Sequence, residues 1–348
     1  MSELRWHSAV AAAAGAARAG IPEYDPNPAV GCALVSSDGA IIAVGSHRGV
    51  GTAHAEVDAI TAAGERARGA TAVVTMLPCD HIGTTGSCTQ ALIDAAVVRV
   101  VYAHGDPTGH ADTTISRLSA AGIEVIGPVA PALGQEVLAS WLSPYTTGFP
   151  HVVWKIASSL DGHITDRHGA SKWLTGEAAR DDVQRLRAQA GAIVTSTETV
   201  LVDDPALNVR IGATSRQPLR VVIGLREVPA AARIRGTDGS FEHHKTRDVR
   251  QVLAGLAARG VHRVLVECGG RLAAALVAEG LVNEIVSYHA GLLLPGGTSL
   301  VADLPDSDAP GFVLATAARW RAVDVRIIGD DIRTRWLPAH PVPTTAGA

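Results

Sequence analysis

Apolar and polar positions in the first 142 residues alternate between helix-like and strand-like patterns. The Ala-rich run Ser8 to Arg18 predicts a helix, ended by Gly20 and Pro22. Ala29 to Val35 and Ala40 to Val44 predict two strands hinged on Ser36-Ser37-Asp38-Gly39. A helix is expected from about His54 to Arg66, then a buried strand from Thr71 to Met76. Ser87 to Ala95 and Thr113 to Ala121 read as helices, and Val98 to Ala103 and Glu124 to Ile126 as strands. Ala132 to Leu142 closes this half as a helix. Strands alternating with helices predict an α/β sandwich around one sheet.

Ser143-Pro144-Tyr145-Thr146-Thr147-Gly148-Phe149-Pro150 gathers turn residues, and the pattern restarts after it. We therefore expect one domain over 1–145 and a second over 150–337, with 338–348 as a flexible tail. The second half predicts strands at His151 to Ala157, Ala192 to Thr195, Leu219 to Ile223, Val261 to Glu267, Glu284 to His289 and Ala322 to Ile328. Its helices are expected at Glu177 to Gln189, Val249 to Ala258 and Leu272 to Glu279. Leu160-Asp161-Gly162 and Cys268-Gly269-Gly270 read as turns, and Asp203-Asp204-Pro205 alone reads as an ordinary turn.

A chain of 348 residues, 47% hydrophobic, can build two cores. With 30 basic and 34 acidic residues the formal charge is −4, which argues against sequence-independent nucleic-acid binding. Met1 to His7 does not resemble a signal peptide, and the Ala-rich stretch after it, which carries Arg18, is too short and too weakly apolar to span a bilayer. Four scattered cysteines make no disulfide framework, so a cytoplasmic, reducing location is expected.

Chemistry concentrates at His54-Ala55-Glu56, Pro78-Cys79 and Cys88. One His and two Cys suit a three-ligand zinc site with a fourth position for water, and a nearby carboxylate can shuttle protons. Residues i and i+2 of a continuous helix diverge by about 200°, so His54 and Glu56 share a pocket only at a helix mouth. Cys88 opens a predicted helix, where the dipole favours a thiolate. Asn27 and His47 flank the hairpin and are candidate substrate contacts; His81 reads as a loop residue.

Asp25-Pro26-Asn27-Pro28-Ala29-Val30-Gly31-Cys32, the His54 and Cys79/Cys88 motifs, and Trp154-Lys155-Ile156-Ala157-Ser158-Ser159-Leu160-Asp161-Gly162 resemble the bifunctional riboflavin-biosynthesis deaminase/reductase family. Ser171-Lys172-Trp173-Leu174-Thr175-Gly176, Thr199 to Pro205, and Val266-Glu267-Cys268-Gly269-Gly270 extend the resemblance over roughly residues 8 to 295. It implies a cytidine-deaminase-like α/β/α sandwich followed by a dihydrofolate-reductase-like α/β domain. The implied reactions are zinc-dependent hydrolysis of an amino group on a diaminopyrimidinone ribosylamine 5′-phosphate, then NADPH-dependent reduction of its ribose to ribityl.

By matching motifs, His54, Cys79 and Cys88 would hold Zn²⁺ and Glu56 would move protons. Asn27, His47, Thr84 and Thr108 would face the deaminase substrate; Ser171, Arg187, Leu207, Arg210 and Glu267 would face the reductase substrate. Lys155 would polarise the sugar carbonyl or imine, and the guanidinium forks of Arg187 and Arg210 suit a phosphate. Ala157, Trp173, Thr199, Asp203, Gly269 and Gly270 would face the cofactor, the glycines at a strand–helix turn that suits a phosphate. A homo-oligomer, dimer or tetramer, is also expected.

The sequence departs from the family at Leu77, where Glu is usual, at Thr84, where a cation is usual, and at Thr108, which stands in place of Asn. A lost charge-assisted contact would weaken binding by about 1.5–3 kcal/mol, which Arg48 could offset. Alternatives open at this point are a relative acting on another phosphorylated aminopyrimidine or related heterocycle, a deaminase-impaired reductase, a nucleic-acid-editing deaminase, and a non-catalytic binding protein.

Overall fold

The computed structural model describes residues 2–20, 26–80, 86–211, 216–302 and 317–339. It divides into two compact units, Met1–Tyr145 and Thr146–Ala348. The first unit contains α1 (Ser2–Gly20), β1 (Gly31–Val35), β2 (Ile41–Ser46), α2 (Ala55–Ala63) with a 3-10 turn at Gly64–Ala67, and β3 (Thr71–Met76). It continues with α3 (Cys88–Asp94), β4 (Arg99–His104), α4 (Ala111–Ala120), β5 (Glu124–Ile126) and α5 (Pro131–Thr147). Its sheet runs β2-β1-β3-β4-β5; β1 is antiparallel to both neighbours, and β3, β4 and β5 are parallel.

Period-2 alternation divides the apolar residues of β3 and β4 between two helical layers. Ala72, Val74 and Val100 join Ala55, Ala59 and Leu92 of α2 and α3, whereas Val73 and Val101 join Trp6, Ala9 and Val10 of α1. Two glycines let these helices sit close to the sheet. A Cβ on Gly31 would lie 1.9 Å from the Ala13 carbonyl oxygen of α1, and one on Gly45 would lie 2.3 Å from the Ala59 nitrogen of α2. The tight seat of α2 on β2 fixes the helix mouth that carries His54 and Glu56.

The second unit adds β6 (His151–Ser159), α6 (Glu177–Ala188), β7 (Ala192–Ser196), α7 (Thr197–Asp203), β8 (Leu219–Ile223) and β9 (Phe241–His244). It ends with α8 (Val249–Ala258), β10 (Arg263–Val266), α9 (Gly270–Ala278), β11 (Glu284–Ala290), β12 (Trp320–Ile328) and β13 (Asp331–Pro338). The order β12-β13-β11-β6-β10-β7-β8-β9 is parallel from β11 to β9, with an antiparallel β12–β13 ribbon at one edge. Val152, Trp154 and Ile156 pack beneath α8 and α9, while Val153 faces Ala179, Val183 and Leu186 of α6. In such a sheet, ligands bind beyond the carboxyl ends of the parallel strands.

Several elements differ from the sequence expectation. The Ser143 to Pro150 turn cluster is helical as far as Thr147, because buried Leu138 and Leu142 anchor α5 strongly enough to carry Pro144 within it. Asp203 ends a helix rather than sitting in a turn, and only Asp204 is left-handed, with φ 40°. α7, β9 and β13 were not anticipated. The tail expected at 338–348 lies almost wholly outside the described residues, where Pro338 still closes β13.

At the amino ends of β6 and β11, burial opposes ionisation of Glu284. The charges of Arg263 and Arg335 and the bond from His151 outweigh it and hold the carboxyl well below its ordinary range. Burial lowers the pKa of His151 too, so its neutral ring donates Nε2–H to Glu284 at 3.3 Å. Both groups bind protons more readily in the unfolded chain. Their stabilisation is complete above the unfolded histidine range and declines as pH falls through about 6.5 and then about 4.3. Glu284's own share is lost only below its unfolded range, so urea midpoints should drop between about pH 5 and pH 2 more steeply for the wild type than for Glu284→Gln. Parallel declines would remove Glu284 from the account.

Candidate functional site

Residues at element ends build the first cluster. His54 is the extended N-cap of α2, with φ −70° and ψ 160°, so its ring and the first-turn Glu56 turn into one space. Cys79 lies just beyond β3 and Cys88 opens α3, whose N-cap Ser87 accepts from Gln90 N–H at 3.2 Å. His54 Nδ1 lies 3.1 Å from Cys88 Sγ and 3.5 Å from Cys79 Sγ, and the three donor atoms fall within 4.8 Å of one another. Two sulfurs and one imidazole nitrogen at this spacing fit zinc.

The electrostatics suit a cation. The Cys88 thiol donates to Cys79, which is thereby held as a thiolate with its pKa lowered to about 4. Sharing that hydrogen, together with burial, pushes Cys88 up. Hydrogen bonding to Cys79 raises His54. Glu56 is only 3% exposed; burial, with the Cys79 charge added, raises its carboxyl to about 6. A carboxyl in that range can both accept and release a proton near neutrality.

His47 is buried edge-on against the His54 ring, with centroids 5.1 Å apart. Its Nδ1 is 3.2 Å from the Ala53 carbonyl and its Nε2 is 3.1 Å from Asn27 Nδ2. A proton on Nδ1 satisfies both bonds, with Nδ1–H donating to Ala53 and Asn27 donating to Nε2. Arg48 pairs with Asp58 at 3.0 Å, and that same carboxylate oxygen accepts from Ser46 N–H. Leu77 is buried. Thr108 is exposed, and its hydroxyl and N–H both donate to Asp106, at 2.7 and 2.8 Å. Thr84 and His81 lie outside the described residues.

A second cluster occupies the carboxyl ends of β6, β10 and β7. Glu267 follows β10, and its N–H bonds the Val194 carbonyl of β7. Arg187 of α6 donates Nε and Nη2 to the two Glu267 oxygens at 2.6 and 3.0 Å, and Nη1 to the Asn208 carbonyl. Lys155 Nζ lies 3.8 Å from Glu267. Burial opposes the Glu267 charge, but Arg187 and Lys155 outweigh it and lower its pKa. Burial lowers Lys155, against the pull of Glu267. Arg187 is thus largely engaged with Glu267, while the exposed Arg210 touches Asn208 Oδ1.

Ser171 donates to Asp203 at 2.6 Å, and Lys172, not anticipated, reaches the Asp203 carbonyl. Thr199 N–H is held by Ser196 Oγ. A Cβ on Gly269, the N-cap of α9, would meet nothing nearer than Thr199 Oγ1 at 4.0 Å, which leaves room for a phosphate before the helix. Gly270 instead serves packing, since a Cβ there would lie 2.8 Å from Ala302 N. Ala157 is half-buried on β6, and Trp173 is 70% exposed with Arg180 over its ring. Leu207 is buried in the α6 core at φ 46°, so its backbone is what it can offer a ligand.

Sequence reasoning did not single out Asp80 or Arg117, which pair beside Cys79, or Thr89, whose Oγ1 and N–H both donate to the Cys79 carbonyl. The only signal available was that Asp80 adjoins a candidate ligand.

Residues 4–104 match the family model described as the cytidine and deoxycytidylate deaminase zinc-binding region, and residues 150–333 match the RibD C-terminal domain. The chain is 42% identical to riboflavin biosynthesis protein RibD of Mycobacterium tuberculosis over 311 residues, covering 88% of this chain and 90% of that one. It is 36% identical to the Escherichia coli protein of that name, covering 88% and 92%. Among solved structures, Acinetobacter baumannii RibD superposes with a TM-score of 0.83 at 35% identity, covering 97% of this chain and all of that one. A Thermotoga maritima diaminohydroxyphosphoribosylaminopyrimidine deaminase/5-amino-6-(5-phosphoribosylamino)uracil reductase gives 0.80 at 27% identity, with the same coverage.

Proposed function

The chain belongs to the RibD family, and we propose that the two residue clusters divide that family's two reactions between them. It is a bifunctional enzyme of riboflavin biosynthesis, a zinc-dependent deaminase joined to an NADPH-dependent reductase. The observation that carries the residue assignment is the convergence of His54 Nδ1, Cys79 Sγ and Cys88 Sγ within 4.8 Å, with Glu56 buried at the same helix mouth.

In the first reaction His54, Cys79 and Cys88 hold zinc, which when bound supplies Lewis-acid activation of water. Glu56 takes a proton from the attacking water and delivers it to the departing amine, so water enters and ammonia leaves. Asn27 and His47 orient the pyrimidine through their fixed hydrogen-bond pair. Thr108 borders the same substrate.

In the second reaction NADPH, when bound, would supply the hydride that reduces the ring-opened ribose. Lys155 donates a hydrogen bond or proton to the carbonyl or imine heteroatom, while Glu267, fixed by Arg187, sets the direction of the ammonium. Arg210 is the accessible cation for the substrate phosphate, and Ser171 and the Leu207 backbone complete that side. Ala157, Trp173, Thr199, Asp203 and the Gly269–Gly270 turn would hold the cofactor.

Chelation of the metal should stop ammonia release but leave NADPH oxidation with the deaminated intermediate intact. Simultaneous loss of both activities would overturn the independence of the two sites. No helix among the described residues is long and apolar enough to cross a membrane. A cytoplasmic location is supported by four free cysteines, two of them needed as thiolates. A homo-oligomer is supported by the β12–β13 ribbon, where Val325, Ile327 and Ile332 are exposed at the edge of the sheet.

A further inference from the structure

The two cysteines reach the metal from opposite ends of one loop, and their separation depends on how those ends are tied together. At the near end, the Cys79 carbonyl accepts Thr89 N–H at 3.1 Å and Thr89 Oγ1 at 3.0 Å. Ser87 Oγ lies 3.2 Å from Asp80 Oδ1 and also caps α3 through Gln90 N–H. These bonds are local to the loop. One tie comes from elsewhere: Arg117, on α4, donates Nη1 to Asp80 Oδ1 and Nη2 to Gln90 Oε1.

That single planar guanidinium bridges the residue after one cysteine and the residue two beyond the other. Gln90 cannot rotate freely to release it, because its Nε2 is held by Asp94 at 2.7 Å. The Asp80 side chain is only 10% exposed, so its carboxylate is not open to competing water on most sides. The Arg117 side chain is 41% exposed, and a pair of that kind adds little to global stability. Its consequence is geometric. Arg117 touches neither ligand side chain and acts through Asp80 and Gln90; groups bonded directly to metal ligands govern affinity by about ten- to a hundredfold, which sets the scale for such a brace.

We propose that Arg117 is a positioning residue for the metal site: by fastening Asp80 to Gln90 it holds the Cys79 and Cys88 sulfurs at the separation that retains zinc. The proposal rests on the zinc reading above.

The test follows zinc release from full-length, zinc-loaded protein into excess chromophoric chelator, below the onset of thermal unfolding. Arg117→Met and Asp80→Asn should each speed release about tenfold or more, with melting temperatures close to wild type. The double variant should be no faster than Arg117→Met alone, because both act on one bridge, Arg117→Met by removing the guanidinium and Asp80→Asn by removing the charge that holds it. Arg117→Lys should fall between, since lysine can reach Asp80 but cannot fork to Gln90. Should Arg117→Met fail to fold, Asp80→Asn and Arg117→Lys carry the comparison. Arg18→Met, which removes the exposed pair with Glu136, is the control and should release zinc at the wild-type rate. Release within about twofold of wild type in Asp80→Asn and the Arg117 variants overturns the brace, as does equal acceleration in Arg18→Met. A wild-type protein that takes up no zinc overturns the metal reading itself, which is a different result.

Discussion

Glu56→Gln is expected to lower ammonia release about a thousandfold while leaving zinc content and substrate-dependent NADPH oxidation unchanged. The magnitude follows from the role of the group, since removing a positioned general acid–base residue costs about a hundred- to ten-thousandfold. The substitution isolates the proton from other effects. Glutamine keeps the volume of a side chain that is 3% exposed, so no cavity opens, and it removes a charge that burial already opposes. Global stability should therefore hold or rise slightly. The carboxyl's position near pH 6 arises from burial and the Cys79 thiolate. A cation held by the same sulfurs would draw it back down, keeping it ionised and ready to accept. Ammonia release from Glu56→Gln within about tenfold of wild type, at equal zinc content, would assign the proton transfer to another group.

The clustering of His54, Cys79 and Cys88 was legible because these residues sit at element ends, where sequence signals are strongest. His54 precedes an apolar helical run, Cys79 follows a buried strand and Pro78, and Cys88 follows the capping Ser87. What holds these residues was not legible. Arg117 meets Asp80 across 37 positions and Arg187 meets Glu267 across 80, and no local pattern marks either pairing. Arg187 read as a phosphate fork, yet the fold turns its Nε and Nη2 to the Glu267 carboxylate. The missed elements have physical causes as well. In Asp331-Ile332-Arg333-Thr334-Arg335 the arginines point to the half-buried Asp182 and the buried Glu284, so a half-buried strand looks like a polar segment. α7 has only seven residues, with β-branched Thr197, Thr199, Val200 and Val202 among them, and forms because Ser196 caps it and Val200 is buried.

The two sites also differ in how they control charge. In the deaminase cluster, acidic groups gather in excess: the Cys79 thiolate, the Glu56 carboxyl and the Cys88 thiol, which a metal would deprotonate, face one histidine. That arrangement is costly without a cation and favourable with one. In the reductase cluster, Glu267 is compensated from within by Arg187 and Lys155, so the site is stable as it stands. Metal removal should therefore act on one reaction and leave the other.

Lys155→Met should reduce NADPH oxidation about a hundredfold or more in kcat, with cofactor affinity and ammonia release unchanged. Lys155 lies on β6 with only 18% of its side chain exposed, and its Nζ is 3.8 Å from Glu267. Burial lowers its pKa, which makes the ammonium a better proton donor to a developing alkoxide or amine than a solvated lysine. Methionine fills the same volume without charge, so lost packing cannot account for the defect. Glu267 does not become an isolated buried charge, because Arg187 still holds both its oxygens. Glu267→Gln is the complementary variant. It leaves Arg187 and Lys155 facing each other without a counter-charge, and should cost about 3 kcal/mol of stability in addition to activity. A catalytic Lys155 thus predicts a kinetic defect in an intact fold, and a structural Glu267 predicts a lowered urea midpoint. If Lys155→Met lowers the midpoint as much as Glu267→Gln while kcat of the folded fraction is preserved, Lys155 is part of the ion network and not the proton donor.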